Sequence, residues 1–568
     1  MRRRTPAGVL AATLGLGLVV AACSPVDSAD EAGPSAPPAT ATSSAPATPS
    51  PAEEPMASPS SRTPEPPSAG GGGESAESAV RGGWGPTPAE LRRARRIAAR
   101  LSLPELAGQV IVAEYDGRRA PVDLVDDLHL GGVIVMSDNI GSTDGLRRSN
   151  RLLQRAAREA GRGWPVFVGV DQEGGVVERV QGEATRFPSF MSAGAARDPR
   201  LTRRAAAASG AELADLGFTV VFAPDGDVTS GPEDPTIGSR SAGSDPDLVA
   251  RQMNAAVDGY LSAGVVPVVK HFPGHGSVPA DSHVELPVQD KPLNRLRETD
   301  LVPFRAGVEQ GVPAVMVAHV DVRAVDPGEP STVSEPVVTG LLRGDLGFRG
   351  LVVTDAMNMA AVADRLSSGE AAVRALAAGN DVVLMPPDPA AARDGIMAAV
   401  RGGRLDRARL EQAAARQIAV LLHQAADKPP RTGKPGSGGE ASYRLSAGAV
   451  TVLDGPCRRR MVGGSVRATG PEEAVARFHA AAERAGLRTG SGTHVALIGY
   501  GGSGSSADVV VALDTPYALG SSAARVARIA LYGDTPGAMR ALVDVLLGKA
   551  PAPGKLPVPV PGVERTGC

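Results

Sequence analysis

The chain has 568 residues, too many for one compact domain and enough for two with appendages. Its 59 Lys and Arg stand against 62 Asp and Glu, so the net charge is −3 and the basic excess that phosphate binding needs is missing. Nucleic acid is therefore not expected as a partner. Aromatic residues make up 3% of the chain, too few for long stacking platforms on a polymer, and three cysteines exclude both a disulfide scaffold and a four-cysteine zinc cluster.

Arg2, Arg3 and Arg4 precede an apolar run from Ala7 to Ala22. That run is shorter than the roughly 20 residues of a membrane span and reads as the apolar part of an export leader, residues 1–23. It ends in Val20-Ala21-Ala22-Cys23, which resembles a lipobox; Cys23 would then carry lipid and become the first residue of the exported chain. An ordinary leader with an incidental cysteine is the alternative. The expected location is outside the cell membrane, anchored to its outer face through lipid on Cys23. Residues 24–85 follow, rich in Pro, Ser, Ala, Thr and Gly, with twelve prolines between Pro25 and Pro67. This composition cannot bury a core, and it reads as a disordered tether spanning roughly 45 Å.

Thr87-Pro88-Ala89-Glu90 carries the signature of a capping box with Pro at the first helical position, so a helix is expected to start there. Short, nearly continuous apolar runs then recur at 109–113, 132–136, 167–170, 220–223, 265–270, 314–318, 351–355 and 382–385. Each has the pattern of a strand buried on both faces. Helical stretches rich in Ala and Arg separate most of them, one at Glu370–Ala378 closed by Gly379. Eight such strands with helical crossovers predict a (β/α)8, TIM-like barrel over 86–426, with an open doubly wound sheet as the alternative. Residues 427–440, with three prolines and four glycines, read as a linker. A smaller α/β domain is expected over 441–568, with parallel strands at 449–453, 495–500, 509–513 and 529–532 and a helix over 536–547 ended by Gly548.

In a barrel, function gathers at the carboxyl ends of the strands. The third run ends at Asp171, in Asp171-Gln172-Glu173-Gly174-Gly175. The fifth ends at Lys270-His271 and continues through Phe272-Pro273-Gly274-His275-Gly276 to Asp281-Ser282-His283. The sixth ends at His319, with Asp321 after it, and the seventh at Asp355. Charged groups that terminate apolar strands are poor core material, and several on one rim make a site. Asp281 and His283 are two apart, so in an extended segment they project to the same side. A carboxylate there orients the imidazole and favours its protonated form, as a general acid/base requires. A buried strand-end carboxylate such as Asp355 is a candidate nucleophile.

The segment from Lys270 to Gly276, followed by Asp281-Ser282-His283, resembles the signature of family-3 glycoside hydrolases in their β-N-acetylglucosaminidase branch. Similar motifs stand at Asp171–Gly175, Phe222-Ala223-Pro224, Ile237-Gly238-Ser239-Arg240-Ser241 and Val353-Thr354-Asp355-Ala356-Met357, in the family's order. The resemblance is strong from 90 to about 425 and weaker through the second domain. It implies that Asp355 is the nucleophile of a retaining hydrolase, His283 the acid/base paired with Asp281, and that Asp171, Arg179, Arg240, Lys270 and His271 hold the terminal sugar. It implies no cofactor and no metal. Together with the expected location, it implies N-acetylglucosamine-containing cell-wall fragments as substrate. Two departures stand out. Val176 replaces an Arg common in the family, and Asp225-Gly226-Asp227 follows Phe222-Ala223-Pro224 where an apolar pair usually precedes the Asp.

Other readings use the same residues. His271, His275, His283 and Asp281 could ligate zinc, but Pro273 and Gly274 break the helix that a His-x3-His site would need. Gly499-Tyr500-Gly501-Gly502-Ser503-Gly504 matches a dinucleotide fingerprint, yet no acidic residue follows about 20 positions on, and it reads as a strand-to-helix turn. A non-catalytic wall-binding lipoprotein, a family-3 enzyme for other sugars and a phosphorylase are further alternatives. Cys457 and Cys568 are the only cysteines of the exported part; they either bond, fastening the carboxyl end to the second domain, or stay free thiols.

Overall fold

The computed structural model of the protein describes residues 84–427 and 433–563. The expected leader with Cys23, nearly all of the tether, and Cys568 lie outside the described residues.

Eight parallel strands form a ring: β1 (Ile111–Ala113), β2 (Gly132–Ile134), β3 (Phe167–Val170), β4 (Val220–Val221), β5 (Val266–Phe272), β6 (Ala314–Val317), β7 (Leu351–Thr354) and β8 (Val383–Leu384). Each pairs with the next in chain order. β8 returns to β1 with Val383 opposite Ile111, and a parallel bridge between Val353 and Val382 closes the ring at β7. The period of two along a strand divides each apolar run between two layers. Val112, Ile134, Phe167, Phe222, Val268, Met316, Leu351, Val353 and Leu384 fill the barrel interior. Their neighbours Ile111, Val133, Val168, Val170 and Val221 pack outward with one set of helices, and Val269, Val315, Val317 and Val352 with another. This double burial is why the strands lack polar alternation.

The helix Pro88–Ala98 begins at the expected capping box: the Glu90 amide donates to the Thr87 hydroxyl, and the Thr87 amide donates to the Glu90 carboxylate. The helix expected at 370–378 begins earlier, at Ser368, because the hydroxyl of Ser367 accepts the Glu370 amide and caps the added turn. It ends at Gly379, whose φ of 121° is open to glycine.

The second domain carries six strands: β9 (Thr451–Asp454), β10 (Ser465–Thr469), β11 (Arg488–Thr489), β12 (Thr493–Ile498), β13 (Ser506–Ala512) and β14 (Ala523–Ala530). Their order is β9-β14-β13-β12-β10-β11, and only β9 runs antiparallel. β10 and β11 escape sequence reading because, at this end of the sheet, they bury only Val466 and show no apolar run. The glycine-rich turn 499–504 leads from β12 into β13, a strand rather than the expected helix. The helix Glu472–Arg484 starts beside Gly499, where an added Cβ would meet Pro471 at 2.7 Å, but the turn itself opens no helix and so lacks the strand-to-helix arrangement of the fingerprint.

Part of the expected linker is tightly held. The amides of Gly436 and Gly438 donate to the two carboxylate oxygens of buried Glu212, on the barrel helix Pro199–Asp215. Cys457 is disulfide-bonded. No helix among the described residues is long and apolar enough to cross a membrane.

Candidate active site

The carboxyl ends of β3, β5 and β7 bring together most of the residues singled out in the sequence. Lys270 is buried at the end of β5, where its Nζ lies 2.8 Å from Asp171 Oδ1 and 2.6 Å from Glu173 Oε1. Glu173 belongs to a small hairpin, Gln172–Gly174 with Val177–Glu178, that follows β3. Its other partner is Arg240, which donates Nε and Nη2 to the two carboxylate oxygens, each at 2.9 Å. Burial alone would raise the Glu173 pKa; Arg240 and Lys270 reverse this and hold it well below the usual carboxylate range.

Arg240 also reaches His271, with Nη2 3.2 Å from Nε2. The opposite nitrogen of that ring, Nδ1, donates to Asp227 Oδ2 at 2.7 Å. Asp227 Oδ1 accepts the His275 amide at 2.6 Å, and the two histidines bring its pKa down to about 2 against the cost of burial. His275 in turn meets the Ser282 hydroxyl, while its Nδ1 is buried without a hydrogen-bond partner. Burial and the neighbouring His271 bring the His275 pKa down to about 4.

Asp355 follows β7, and its Oδ1 accepts the amide of Ala356 at 2.8 Å. Burial opposes its ionisation, but His271, His319 and that amide together pull its pKa below the usual aspartate value. His319, at the end of β6, donates Nε2 to the Ala356 carbonyl and accepts the Thr332 hydroxyl on Nδ1. It thus fixes the backbone next to Asp355, and burial keeps it in the neutral form to lower pH than a free imidazole.

Asp281 and His283 pair as their spacing predicts, with His283 Nδ1 2.7 Å from Asp281 Oδ1, which also accepts the His283 amide. Burial tends to raise the Asp281 pKa, but the amide and ring of His283 outweigh it and leave it lowered. Unlike the rest of the site, this pair is open to solvent, with side-chain exposures of 64% for His283 and 37% for Asp281. Ser282 between them is buried, and its carbonyl accepts the amide of Ala361, six residues beyond Asp355. That contact joins the loop to the Asp355 side of the rim.

Arg179 is not drawn into this network. Its amide donates to Gln172 Oε1, its Nε is buried without a partner, and among the described residues no hydrogen bond joins its guanidinium to the Lys270 cluster. Sequence reading missed Glu173, Asp225, Asp227 and His275 as members, although Glu173 and His275 lie inside the motifs quoted and Asp225 and Asp227 come directly after Phe222-Ala223-Pro224. Glu173 and His275 stand in glycine-rich turns, where only the fold shows which way a side chain points. Asp225 is fully buried, and burial with Asp227 and Glu173 nearby keeps it protonated well above the usual range. Its Oδ2 has no hydrogen-bond partner and lies 3.7 Å from His271 Nδ1. Asp225, Asp227 and His271 offer ligand atoms within 4.8 Å of one another, the spacing of a cation site. In the structure, however, His271 Nδ1 already donates to Asp227.

A parallel (β/α)8 barrel with a strand-end carboxylate, a second acid paired to an imidazole, and a buried polar nest on one rim is the layout of a glycoside hydrolase. The comparisons with known proteins agree. The model of the glycosyl hydrolase family 3 N-terminal domain matches residues 102–420, and the chain belongs to that family. It is 35% identical over 339 residues to "Beta-hexosaminidase LpqI" of Mycobacterium tuberculosis, covering 58% of this chain and 86% of that one. It is 36% identical over 280 residues to "Beta-hexosaminidase A" of Pseudoalteromonas piscicida, of whose length it spans 47%. The solved family-3 β-N-acetylglucosaminidase from Paenibacillus sp. superimposes with a TM-score of 0.73 at 30% identity, over 82% of this chain and all of that one.

Proposed function

We propose that the protein is an exo-acting, retaining β-N-acetylglucosaminidase that removes terminal β-linked N-acetylglucosamine. The observation that carries this reading is the 2.7 Å pair of His283 and Asp281, bonded through Ser282 to the segment behind Asp355. The hexosaminidase and N-acetylglucosaminidase names of the relatives support the sugar.

In the first step, the ionised Asp355 attacks the anomeric carbon. The glycosidic carbon–oxygen bond breaks, and the leaving oxygen takes the proton from His283 Nε2. Asp281 stabilises the imidazolium beforehand and holds its Nδ1–H. In the second step, neutral His283 takes a proton from water; the water oxygen bonds to the anomeric carbon and Asp355 is released. The acidity of Asp355 suits this task, because a nucleophile must stay ionised at working pH. Lys270, His271, Arg240 and Asp171 offer a rigid set of donors and acceptors for the hydroxyl and N-acetyl groups of one sugar. An exported, lipid-anchored enzyme would meet β-linked N-acetylglucosamine in cell-wall fragments.

The test compares release of a chromogenic phenol from its β-N-acetylglucosaminide and its β-glucoside, with and without phosphate. Faster release from the first sugar, unchanged by phosphate, is expected. Equal rates on the two sugars would overturn the sugar assignment, and a product carrying phosphate would make the enzyme a phosphorylase.

A further inference from the structure

Three of the contacts that join the two domains bear on one side of the barrel mouth. The carbonyl of Tyr532, just past β14, accepts both the amide and the hydroxyl of Ser189 at 3.0 and 2.9 Å. The carbonyl of Pro557, in the carboxyl-terminal tail, accepts the amide of Ser244 at 3.2 Å. Between them, Asp514, just past β13, accepts the hydroxyl of Ser239. Ser189 and Ser239 stand in the loops after β3 and β4. The carboxyl edge of the second sheet therefore faces the carboxyl rim of the barrel.

The third contact bears on chemistry. Ser239 is the middle residue of the 3-10 turn Gly238–Arg240, and its neighbour Arg240 holds both oxygens of Glu173 and reaches His271. Other bonds also hold the turn: the Arg240 amide donates to the Ile237 carbonyl at 2.8 Å, and the Ser241 hydroxyl meets the Asp227 and Gly243 carbonyls, but the hydroxyl of Ser239 is tied to the second domain. Asp234 accepts the amides of Thr236, Ile237 and Gly238 at its start. At Gly238, an added Cβ would sit 3.7 Å from Thr515, next to Asp514. Ser239 is 3% exposed, and among the described residues its hydroxyl bonds only to the second domain, so losing Asp514 would leave a buried hydroxyl without a partner.

We propose that Asp514 is a positioning residue of the sugar site: by holding Ser239 it aims Arg240, so the second domain tunes sugar affinity in the barrel. This rests on the reading of Arg240 as a sugar-site residue. Asp514 acts through the turn and touches no substrate.

The experiment measures KM and kcat of the full chain on an aryl β-N-acetylglucosaminide for Asp514→Ala, Asp514→Asn, Ser239→Ala, the double variant Ser239→Ala/Asp514→Ala and Arg240→Ala. Losing one hydrogen bond to a charged partner should raise KM about tenfold in Asp514→Ala, with kcat little changed. The Asn carbonyl can still accept the hydroxyl, so Asp514→Asn should recover most of the loss. The double variant should be no worse than either single one, since both remove the same bond. A folded Asp514→Ala with unchanged KM, or additive effects of the two substitutions, would overturn the proposal. Unchanged KM in Arg240→Ala would instead overturn the sugar-site reading on which it rests.

Discussion

His275 Nε2 lies 2.9 Å from the hydroxyl oxygen of Ser282, and both residues are buried. This bond ties the turn after β5 to the middle of the Asp281-Ser282-His283 segment. Because the His275 amide also rests on Asp227, which takes the Nδ1–H of His271, one chain of bonds runs from the candidate sugar pocket to the candidate proton donor. The exposed pair is thus held from beneath, through the residue between its members.

Ser282→Ala cuts that anchor and leaves the Asp281–His283 bond in place. Hydrolysis should slow about tenfold on substrates with a poorly acidic leaving group, where proton transfer matters, and far less on an acidic phenol. Parallel loss on both would place the effect away from proton donation. Rates on a series of aryl glycosides decide between the two.

Asp355→Ala removes the candidate nucleophile. Activity should fall by at least about 10³-fold on every substrate, whatever its leaving group, while sugar binding persists. Retention of more than a few per cent of the rate would mean that another carboxylate attacks.

His283→Ala keeps the candidate nucleophile and deletes the candidate proton donor. A sugar leaving group should lose about 10²–10⁴-fold and an acidic phenol much less, so the dependence of rate on leaving-group pKa should steepen. A slope no steeper than that of the parent enzyme would remove His283 from this role.

Asp225→Asn tests the buried acid pair. The folded chain keeps a proton on Asp225 that the unfolded chain gives up near the ordinary value of about 3.9. From there up to the folded pKa, the folded state binds more protons, so stability falls as pH rises. The substitution removes that slope, and its gain in Tm over the parent should be larger at about pH 7.5 than at about pH 4. Asp227 acts with the opposite sign: its contribution is complete above the ordinary aspartate range and is lost as pH falls toward about 2. A Tm difference that is constant with pH would show that Asp225 does not titrate between these limits.

The bond of Cys457 is expected to run to Cys568, fastening the carboxyl end. Alkylation without reductant should leave both thiols unmodified in an intact mass, and two added alkyl groups would rule the pairing out.

The barrel was legible because its strands are buried on both faces. Phe167–Val170 or Leu351–Thr354 can hardly be anything but interior strand, and the charged residue ending each run marks the rim. The Asp281–His283 pair was legible for a similar reason, since its bond is local. What the sequence hid depends on direction in turns and on distant partners. Nothing local in Asp225-Gly226-Asp227 tells that one carboxylate binds His271 while its neighbour, two residues away, keeps its proton. Arg179, chosen from a motif, lies outside the hydrogen-bonded nest that its neighbour Glu173 enters. β10 and the edge strand β11 have no apolar run to betray them.

The side on which the second sheet meets the barrel also decides how a glycan can approach. Ser189 and Ser239, in the loops after β3 and β4, lie under that sheet like the closed end of a sleeve, whereas His283, in the loop after β5, stands in the open. On the proposed exo-acting reading, a glycan would enter tip first and its severed remainder would leave on the open side, past His283.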